Sequence, residues 1–179
     1  RGERLIGILS ELMGEPAVLF KEKINFKLPG GNGFLPHQDA PAFNSFGPTY
    51  HITMMVSIDA CNKQNGCLEM VPGHHRQGML PTAADATIDP DIAESLSWEL
   101  LPTEIGDLVF FDSYIPHRSG PNRTKQPRRA LYITYNRASE GSYRESYYRC
   151  KRDVFPPDIE RDPKKDYKDS GVFNVGNPI

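Results

Sequence analysis

The chain contains 179 residues, of which 25% are charged and 38% are hydrophobic. Its formal net charge is -2 at pH 7, whereas nucleic-acid-binding proteins normally carry a basic excess, so we expect no nucleic-acid partner. No apolar run approaches the roughly 20 residues that a membrane span needs, so we expect no membrane partner either. Length and composition predict one domain over residues 1–179 with a sizeable core.

The three cysteines, Cys61, Cys67 and Cys150, form an odd, loosely spaced set without a CxxC or zinc-binding spacing. We therefore expect reduced thiols and a cytoplasmic protein. The chain begins at Arg1, without a methionine, directly in a helical pattern. We expect that an N-terminal segment of the domain is missing before this residue.

Two different periodicities open the chain. Residues 4–13 carry leucine and isoleucine at helical spacing, and Gly14 follows where a C-cap glycine belongs, so we predict a helix. Residues 18–28 alternate instead, which predicts a strand with two different faces. The apolar face consists of Phe20, Ile24, Phe26 and Leu28, and the polar face of Lys21, Lys23, Asn25 and Lys27. The glycine-rich run at 29–33 predicts a loop.

Short strands dominate the rest of the sequence. β-rich runs lie at residues 50–58, 67–71, 108–111 and 131–135, and turn signals such as Asn65-Gly66 separate them. Residues 82–96 have an acidic, alanine-rich helical character that suits an insertion or lid. The segment from Tyr147 onward is rich in charge, proline and tyrosine, and we expect it to wrap the surface irregularly. Many short strands with turns predict a mainly β sandwich or barrel.

His37 and Asp39 are the first candidate metal ligands. They are two residues apart, so on a strand both side chains would leave the same face. A third ligand must come from elsewhere, and His117 is the best placed because it follows an apolar strand and a proline. Two histidines and one carboxylate hold non-haem Fe(II) on one face and leave the other positions open. These residues therefore predict an iron site.

The remaining histidines carry weaker signals. His74 and His75 are adjacent, so on a strand they would point to opposite faces, and we interpret them as part of a polar turn. His51 shares its strand face with Thr53, which leaves two interpretations open. It either lines the pocket or is a partly buried histidine with satisfied hydrogen bonds.

Four motifs occur together in one order: HQD at residues 37–39, NGCLEMVPGHH at 65–75, GD at 106–107 and HRSGPNRTKQPRRAL at 117–131. They resemble the phytanoyl-CoA dioxygenase family of Fe(II)- and 2-oxoglutarate-dependent oxygenases. The resemblance covers residues 21–135. It implies a mainly β fold, the double-stranded β-helix or jelly roll, with flanking helices. It also implies Fe(II), 2-oxoglutarate and O2 as the cofactor and co-substrates.

The resemblance assigns roles to individual residues. It makes His37, Asp39 and His117 the iron ligands. Arg128 lies eleven positions after His117, where the family places the arginine that binds the distal carboxylate of 2-oxoglutarate. Arg129 is the alternative, although strand parity should send the two arginines to opposite faces.

Further contacts follow from the same resemblance. Ser119 would assist at the distal carboxylate. Additional contacts with the co-substrate fall on Asn25, Phe34 and Thr53, and contacts with the primary substrate fall on Lys21, Phe43 and Tyr132.

The substrate is expected to be a small molecule. Lys21 and Lys23, with further cations at Arg137, Arg144 and Arg149, suit an anionic substrate, or else form a solvated charged face. The segments KEKINFKLPGG and FNVGNPI are similar to bacterial family members that hydroxylate small aminoalkylphosphonates.

The implied reaction is hydroxylation with release of succinate and CO2. Asp39 supports it, because halogenases of this type replace that carboxylate with a small residue. An acyl-CoA 2-hydroxylase and a jelly-roll binding protein without turnover are alternatives. A cupin-like metalloenzyme would add a histidine and a glutamate near the first ligand, and neither follows Asp39. A zinc hydrolase would need a general base, and the sequence shows none. The oligomeric state is not predictable.

Overall fold

The computed structural model describes residues 2–165, 167 and 173. The first helix, α1, spans Glu3–Met13 and ends at Gly14, whose φ of 75° is a left-handed conformation that glycine adopts without strain. The helix predicted at residues 4–13 is therefore confirmed. No helix in the described part of the chain is long and apolar enough to cross a membrane.

Eight strands in the described residues form two four-stranded antiparallel sheets. The strands are β1 Ala17–Lys27, β2 Phe34–His37, β3 His51–Ser57, β4 Leu68–Met70, β5 Glu99–Leu101, β6 Leu108–Asp112, β7 His117–Ser119 and β8 Arg128–Arg137. The first sheet has the order β1-β8-β3-β6 and the second the order β2-β7-β4-β5. Met55, Phe111 and Ala130 of the first sheet share a core cluster with Leu68 and Met70 of the second. This arrangement is the predicted jelly roll.

Three further α-helices in the described part of the chain flank the sheets. They are α2 at Ala40–Asn44, α3 at Pro90–Ser95 and α4 at Arg144–Val154. Helix α1 covers one face of the first sheet, where Leu9 and Met13 pack with Ile52 and Tyr135. The apolar positions that predict this helix therefore face the sheet.

Two expectations about helices need correction. Helix α3 occupies only part of residues 82–96, because the Asp89 carboxylate accepts hydrogen bonds from the backbone of Asp91 and Ile92 and so begins the helix late. The irregular course expected from Tyr147 is wrong for residues 147–154, because this stretch continues α4 and Tyr147 packs against Phe20 with ring centroids 5.0 Å apart. Most of the FNVGNPI segment lies outside the described residues.

Strand β1 turns its polar face inward. A register shift between Leu19 and Lys21 inserts Phe20 as a bulge, so Phe20 and Lys21 are both buried. At the end of the strand, Lys27 is only 5% exposed, whereas Phe26 on the apolar face is 63% exposed. Lys21 and Lys27 of the polar face are therefore buried, whereas Lys23 between them is exposed.

Candidate active site

The three predicted metal ligands converge at one point. Strand β2 ends at His37 and β7 begins at His117, and these two residues are direct partners in the ladder, with ring centroids 4.2 Å apart. Asp39 joins them from the N-cap of α2. One candidate ligand atom from each residue lies within 4.8 Å of the other two.

The strand geometry expected for Asp39 is wrong. Its backbone has φ of -77° and ψ of -22°, because the chain has already left β2 at His37 and is entering the helix. The turn nevertheless brings Asp39 Oδ1 to 3.9 Å from His37 Nε2. Convergence therefore comes from the strand-to-helix turn and not from strand alternation.

Backbone carbonyls orient both imidazoles. His37 Nδ1 lies 2.7 Å from the Leu35 carbonyl oxygen, and His117 Nδ1 lies 3.1 Å from that of Ile115. Because a carbonyl can only accept, each Nδ1 donates its proton, which leaves the Nε2 lone pair free. This is the arrangement that supports histidine ligands in metal sites.

The protonation states also suit a metal. Burial and the neighbouring His117 lower the pKa of His37 to about 3, so its imidazole is neutral at pH 7. Burial raises the pKa of Asp39, but His117, Lys21 and His37 outweigh this and lower it to about 2. Metal ligands must be deprotonated, and two imidazoles with one carboxylate are a donor set for non-haem Fe(II). The residues present therefore fit the implied metal.

A cavity of about 600 Å³ opens beside this triad. All the site residues predicted from the sequence line it except Phe43. Phe43 is 1% exposed on α2 and packs in an aromatic cluster, where the Lys21 ammonium lies 4.2 Å above its ring centroid. The cluster therefore keeps Phe43 off the cavity wall, and it contacts that wall through Lys21.

Arg128 marks the second end of the cavity. It is 3% exposed and donates to the Gly66 carbonyl at 2.5 Å, and its buried Nε has no hydrogen-bond partner among the described residues. Arg129 points the other way and forms an exposed ion pair with Asp59 at 2.8 Å. The opposite orientation expected from strand parity is thus present.

Lys27 is a cavity residue that we did not predict. It is the direct β1 partner of Arg128, and burial together with that neighbouring guanidinium lowers the pKa of Lys27 to about 8. The available signal was its position on the same strand face as Lys21 and Asn25. The cavity thus has metal-ligand side chains at one end and two adjacent cations at the other.

Comparison with known proteins identifies the family. The family model described as phytanoyl-CoA dioxygenase matches residues 3–130. The chain belongs to the phytanoyl-CoA dioxygenase family. It is 55% identical over 179 residues to a 2-aminoethylphosphonate dioxygenase from uncultured bacterium HF130_AEPn_1, covering 99% of this chain and 68% of that protein. It is also 51% identical over 144 residues to a methylphosphonate hydroxylase from Gimesia maris, covering 80% of this chain and 55% of the relative.

A solved structure of similar fold supports the assignment. EvdO2 from Micromonospora carbonacea var. aurantiaca, in complex with 2-oxoglutarate, matches with a TM-score of 0.63 and 26% identity. The match covers 75% of this chain and 59% of EvdO2. The jelly roll and the family of Fe(II)- and 2-oxoglutarate-dependent oxygenases expected from the motifs are therefore confirmed.

In this phytanoyl-CoA dioxygenase family member, Lys21 and Lys23 also line the cavity wall. Burial and the neighbouring Lys23 lower the pKa of Lys21 to about 7, although Asp39 opposes this. The Lys23 ammonium lies 5.6 Å from the centroid of the Tyr132 ring. Within the described residues, no acidic side chain forms an ion pair with either lysine. Both could receive an anion.

The other cations considered with these lysines lie elsewhere. Arg137 pairs with Glu15 at 3.7 Å, Arg144 pairs with Glu22, and neither arginine lines the cavity. Arg149 does not line it either. Of the cations considered for an anionic substrate, Lys21 and Lys23 therefore line the cavity, and both belong to β1.

The remaining histidines lie apart from the metal site. His51 is fully buried between Phe20 and Phe43, with ring centroids 4.9 and 5.1 Å away, and does not line the cavity. Neither ring nitrogen has a hydrogen-bond partner among the described residues, so neither interpretation of His51 is correct. Burial lowers its pKa to about 4, which keeps it neutral. His74 and His75 lie in a 3-10 turn at His74–Gln77, as the turn signals suggest.

Proposed function

We propose that this chain is the catalytic domain of an Fe(II)- and 2-oxoglutarate-dependent dioxygenase that hydroxylates a small phosphonate and releases succinate and CO2. One observation carries the proposal: a single cavity has the His37, Asp39 and His117 donor set at one end and the buried Arg128 at the other. A 2-oxo acid with a distal carboxylate has the complementary groups at its two ends.

Each part of the site has a distinct task in this proposal. His37, His117 and Asp39 would hold the iron, which supplies the oxidising chemistry when bound together with the 2-oxo acid. Arg128 would bind the distal carboxylate with its planar, two-pronged guanidinium and so orient the other end of the co-substrate toward the triad. Ser119, Asn25 and the other wall residues would complete the contacts around it.

Lys21 and Lys23 support a phosphonate as the primary substrate. Both lie on the inner face of β1 without an acidic partner among the described residues, and Lys21 is 8% exposed. A buried ammonium gains most from a strong anion that enters beside it, and a lysine is a common phosphate ligand. The two relatives named for phosphonates point to the same class of substrate.

Succinate release across a matched panel tests this proposal. Purified protein with Fe(II), ascorbate and 2-oxoglutarate would be given methylphosphonate, 2-aminoethylphosphonate, their carboxylate analogues and an acyl-CoA. We expect coupled succinate release and a hydroxylated product with a phosphonate and not with its carboxylate analogue. Turnover of the acyl-CoA alone would favour the acyl-CoA hydroxylase. Binding of iron and 2-oxoglutarate without any turnover would favour a binding protein.

A further inference from the structure

The ammonium of Lys27 is held entirely by uncharged oxygen atoms. Its Nζ lies 2.6 Å from the Gly120 carbonyl, 2.8 Å from Ser119 Oγ and 3.3 Å from the Gly66 carbonyl. No acidic side chain among the described residues pairs with it. Burying a cation beside a second cation destabilises the fold unless another interaction offsets it. For purely structural hydrogen bonds, a neutral side chain would therefore cost less free energy than a lysine.

The hydrogen bond from Lys27 determines whether the Ser119 hydroxyl donates to or accepts from a ligand in the cavity. A serine hydroxyl has one proton to donate and two lone pairs that accept. Ser119 Oγ accepts from Lys27 Nζ at 2.8 Å and from the backbone N–H of Phe34 at 3.3 Å. Both lone pairs are therefore occupied, and the hydroxyl has only its proton left for a partner. Since Ser119 lines the cavity, that partner must be an acceptor.

Arg128 presents a second donor to the same region. Its Nη2 shares the Gly66 carbonyl with Lys27, and its buried Nε has no partner among the described residues. Gly66 itself has φ of 74°, and a Cβ there would lie 2.8 Å from Lys27 Nζ and 2.2 Å from the Gly120 carbonyl. Only glycine allows this carbonyl to reach both cations, so the loop, the lysine and the arginine form one unit.

We propose that Lys27 is a positioning residue for the co-substrate: it holds Ser119 as an obligate hydrogen-bond donor to the distal carboxylate of 2-oxoglutarate. This inference rests on the proposed function, in which Arg128 binds that carboxylate. The positive charge of Lys27 also polarises the Ser119 hydroxyl and makes it a stronger donor. An apolar residue at this position would leave the hydroxyl free to rotate and to accept.

Lys27→Met tests the role through binding and not through turnover. We would measure the dissociation constants of 2-oxoglutarate and of 2-oxopentanoate, which has the same chain length but no distal carboxylate, in anaerobic titrations with Fe(II). We expect at least a tenfold weakening for 2-oxoglutarate and no more than a twofold change for 2-oxopentanoate. Lys63→Met, at an exposed position, is the matched control and should change neither constant. Equal weakening of both ligands would overturn the proposal.

A double-mutant cycle separates positioning from an independent contact. If Lys27 acts through Ser119, the loss in Lys27→Met combined with Ser119→Ala should be clearly smaller than the product of the two single losses. Multiplicative losses would overturn the positioning role. Lys27→Gln, which keeps a donor without the charge, should lose less affinity than Lys27→Met and also serves if the methionine variant does not fold.

The proposed function itself has a separate outcome in the same titrations. If the wild-type protein binds 2-oxoglutarate no better than 2-oxopentanoate, the distal-carboxylate site is absent and the proposed function fails. If the wild type prefers 2-oxoglutarate but Lys27→Met retains that preference, only the role of Lys27 fails.

Discussion

At one end of the cavity the side chains are candidate ligands for a metal cation, whereas at the other end the side chains are cations themselves. One candidate ligand atom from each of His37, Asp39 and His117 lies within 4.8 Å of the other two, while Lys27 and Arg128 are adjacent in the ladder and lack an acidic partner among the described residues. Each end therefore lacks the charge that its ligand would bring. This difference explains how one pocket can bind a metal and orient a dicarboxylate without either group competing for the other's position.

Removing a donor from the metal end should have the largest effect. His37→Ala leaves one imidazole and one carboxylate, so we expect Fe(II) affinity to fall by more than about 100-fold, beyond the loss typical of a supporting residue. Anaerobic metal titration measures it. His75→Ala, in the 3-10 turn outside the triad, is the control and should bind metal normally. Unchanged affinity in His37→Ala would disprove the ligand assignment.

Removing the arginine from the basic end should affect the co-substrate and not the metal. A buried charged contact is worth roughly 2–5 kcal/mol, so Arg128→Ala should weaken 2-oxoglutarate by about 30-fold or more at unchanged Fe(II) affinity. The exposed ion pair of Arg129 with Asp59 is worth about 1 kcal/mol at most, and Arg129→Ala should leave 2-oxoglutarate binding nearly unchanged. If Arg129→Ala and not Arg128→Ala weakened 2-oxoglutarate binding in these titrations, Arg129 would be the residue that binds the distal carboxylate.

The lysine beside the metal end should make stability depend on pH. Lys21 has a pKa of about 7 in the folded protein against 10.5 for an unperturbed lysine, so between these values the unfolded state binds more protons. The free energy of unfolding of the metal-free protein should therefore rise as the pH increases from 7 to 10. Lys21→Met removes the buried charge and should be more stable than wild type at pH 7, by on the order of 2 kcal/mol.

Urea denaturation at several pH values between 7 and 10 checks this effect. The advantage of Lys21→Met should shrink as the pH approaches 10, because the wild-type lysine becomes neutral there too. Lys63→Met, which changes an exposed lysine, should follow the wild type. Parallel pH profiles for Lys21→Met and wild type would show that the Lys21 ammonium is not destabilised by its surroundings.

The side chains at the two ends could be named from sequence motifs because they depend on residue types and short spacings, and the structure places them in one cavity. Arg128 and Arg129 separate to opposite faces because strand alternation is a local property. The same logic fails for Asp39, which lies in the first turn of α2 where alternation no longer applies. The substrate contact of Phe43 was expected from the family resemblance, but its side chain packs in the aromatic cluster and does not line the cavity.

Strand β1 shows most clearly what local patterns leave open. Its alternation predicts two faces but not which one is buried, and the usual expectation would bury the apolar one. The structure buries Lys21 and Lys27 and exposes Phe26. Lys27 was missed as a site residue because its role depends on Ser119 and Arg128, which are distant in the chain and become its neighbours only in the fold.

The sequence by itself predicted the first helix, a mainly β fold and the opposite orientations of Arg128 and Arg129, because each follows from a period of two or 3.6 residues. The candidate metal ligands were proposed from residue chemistry, and the resemblance of the motifs implied the jelly roll. Only the tertiary structure decided that the lysine face of β1 lines the cavity and that Lys27 holds Ser119. The reason is physical: burial depends on which surface the second sheet covers, and that surface is assembled from strands that are distant in the chain.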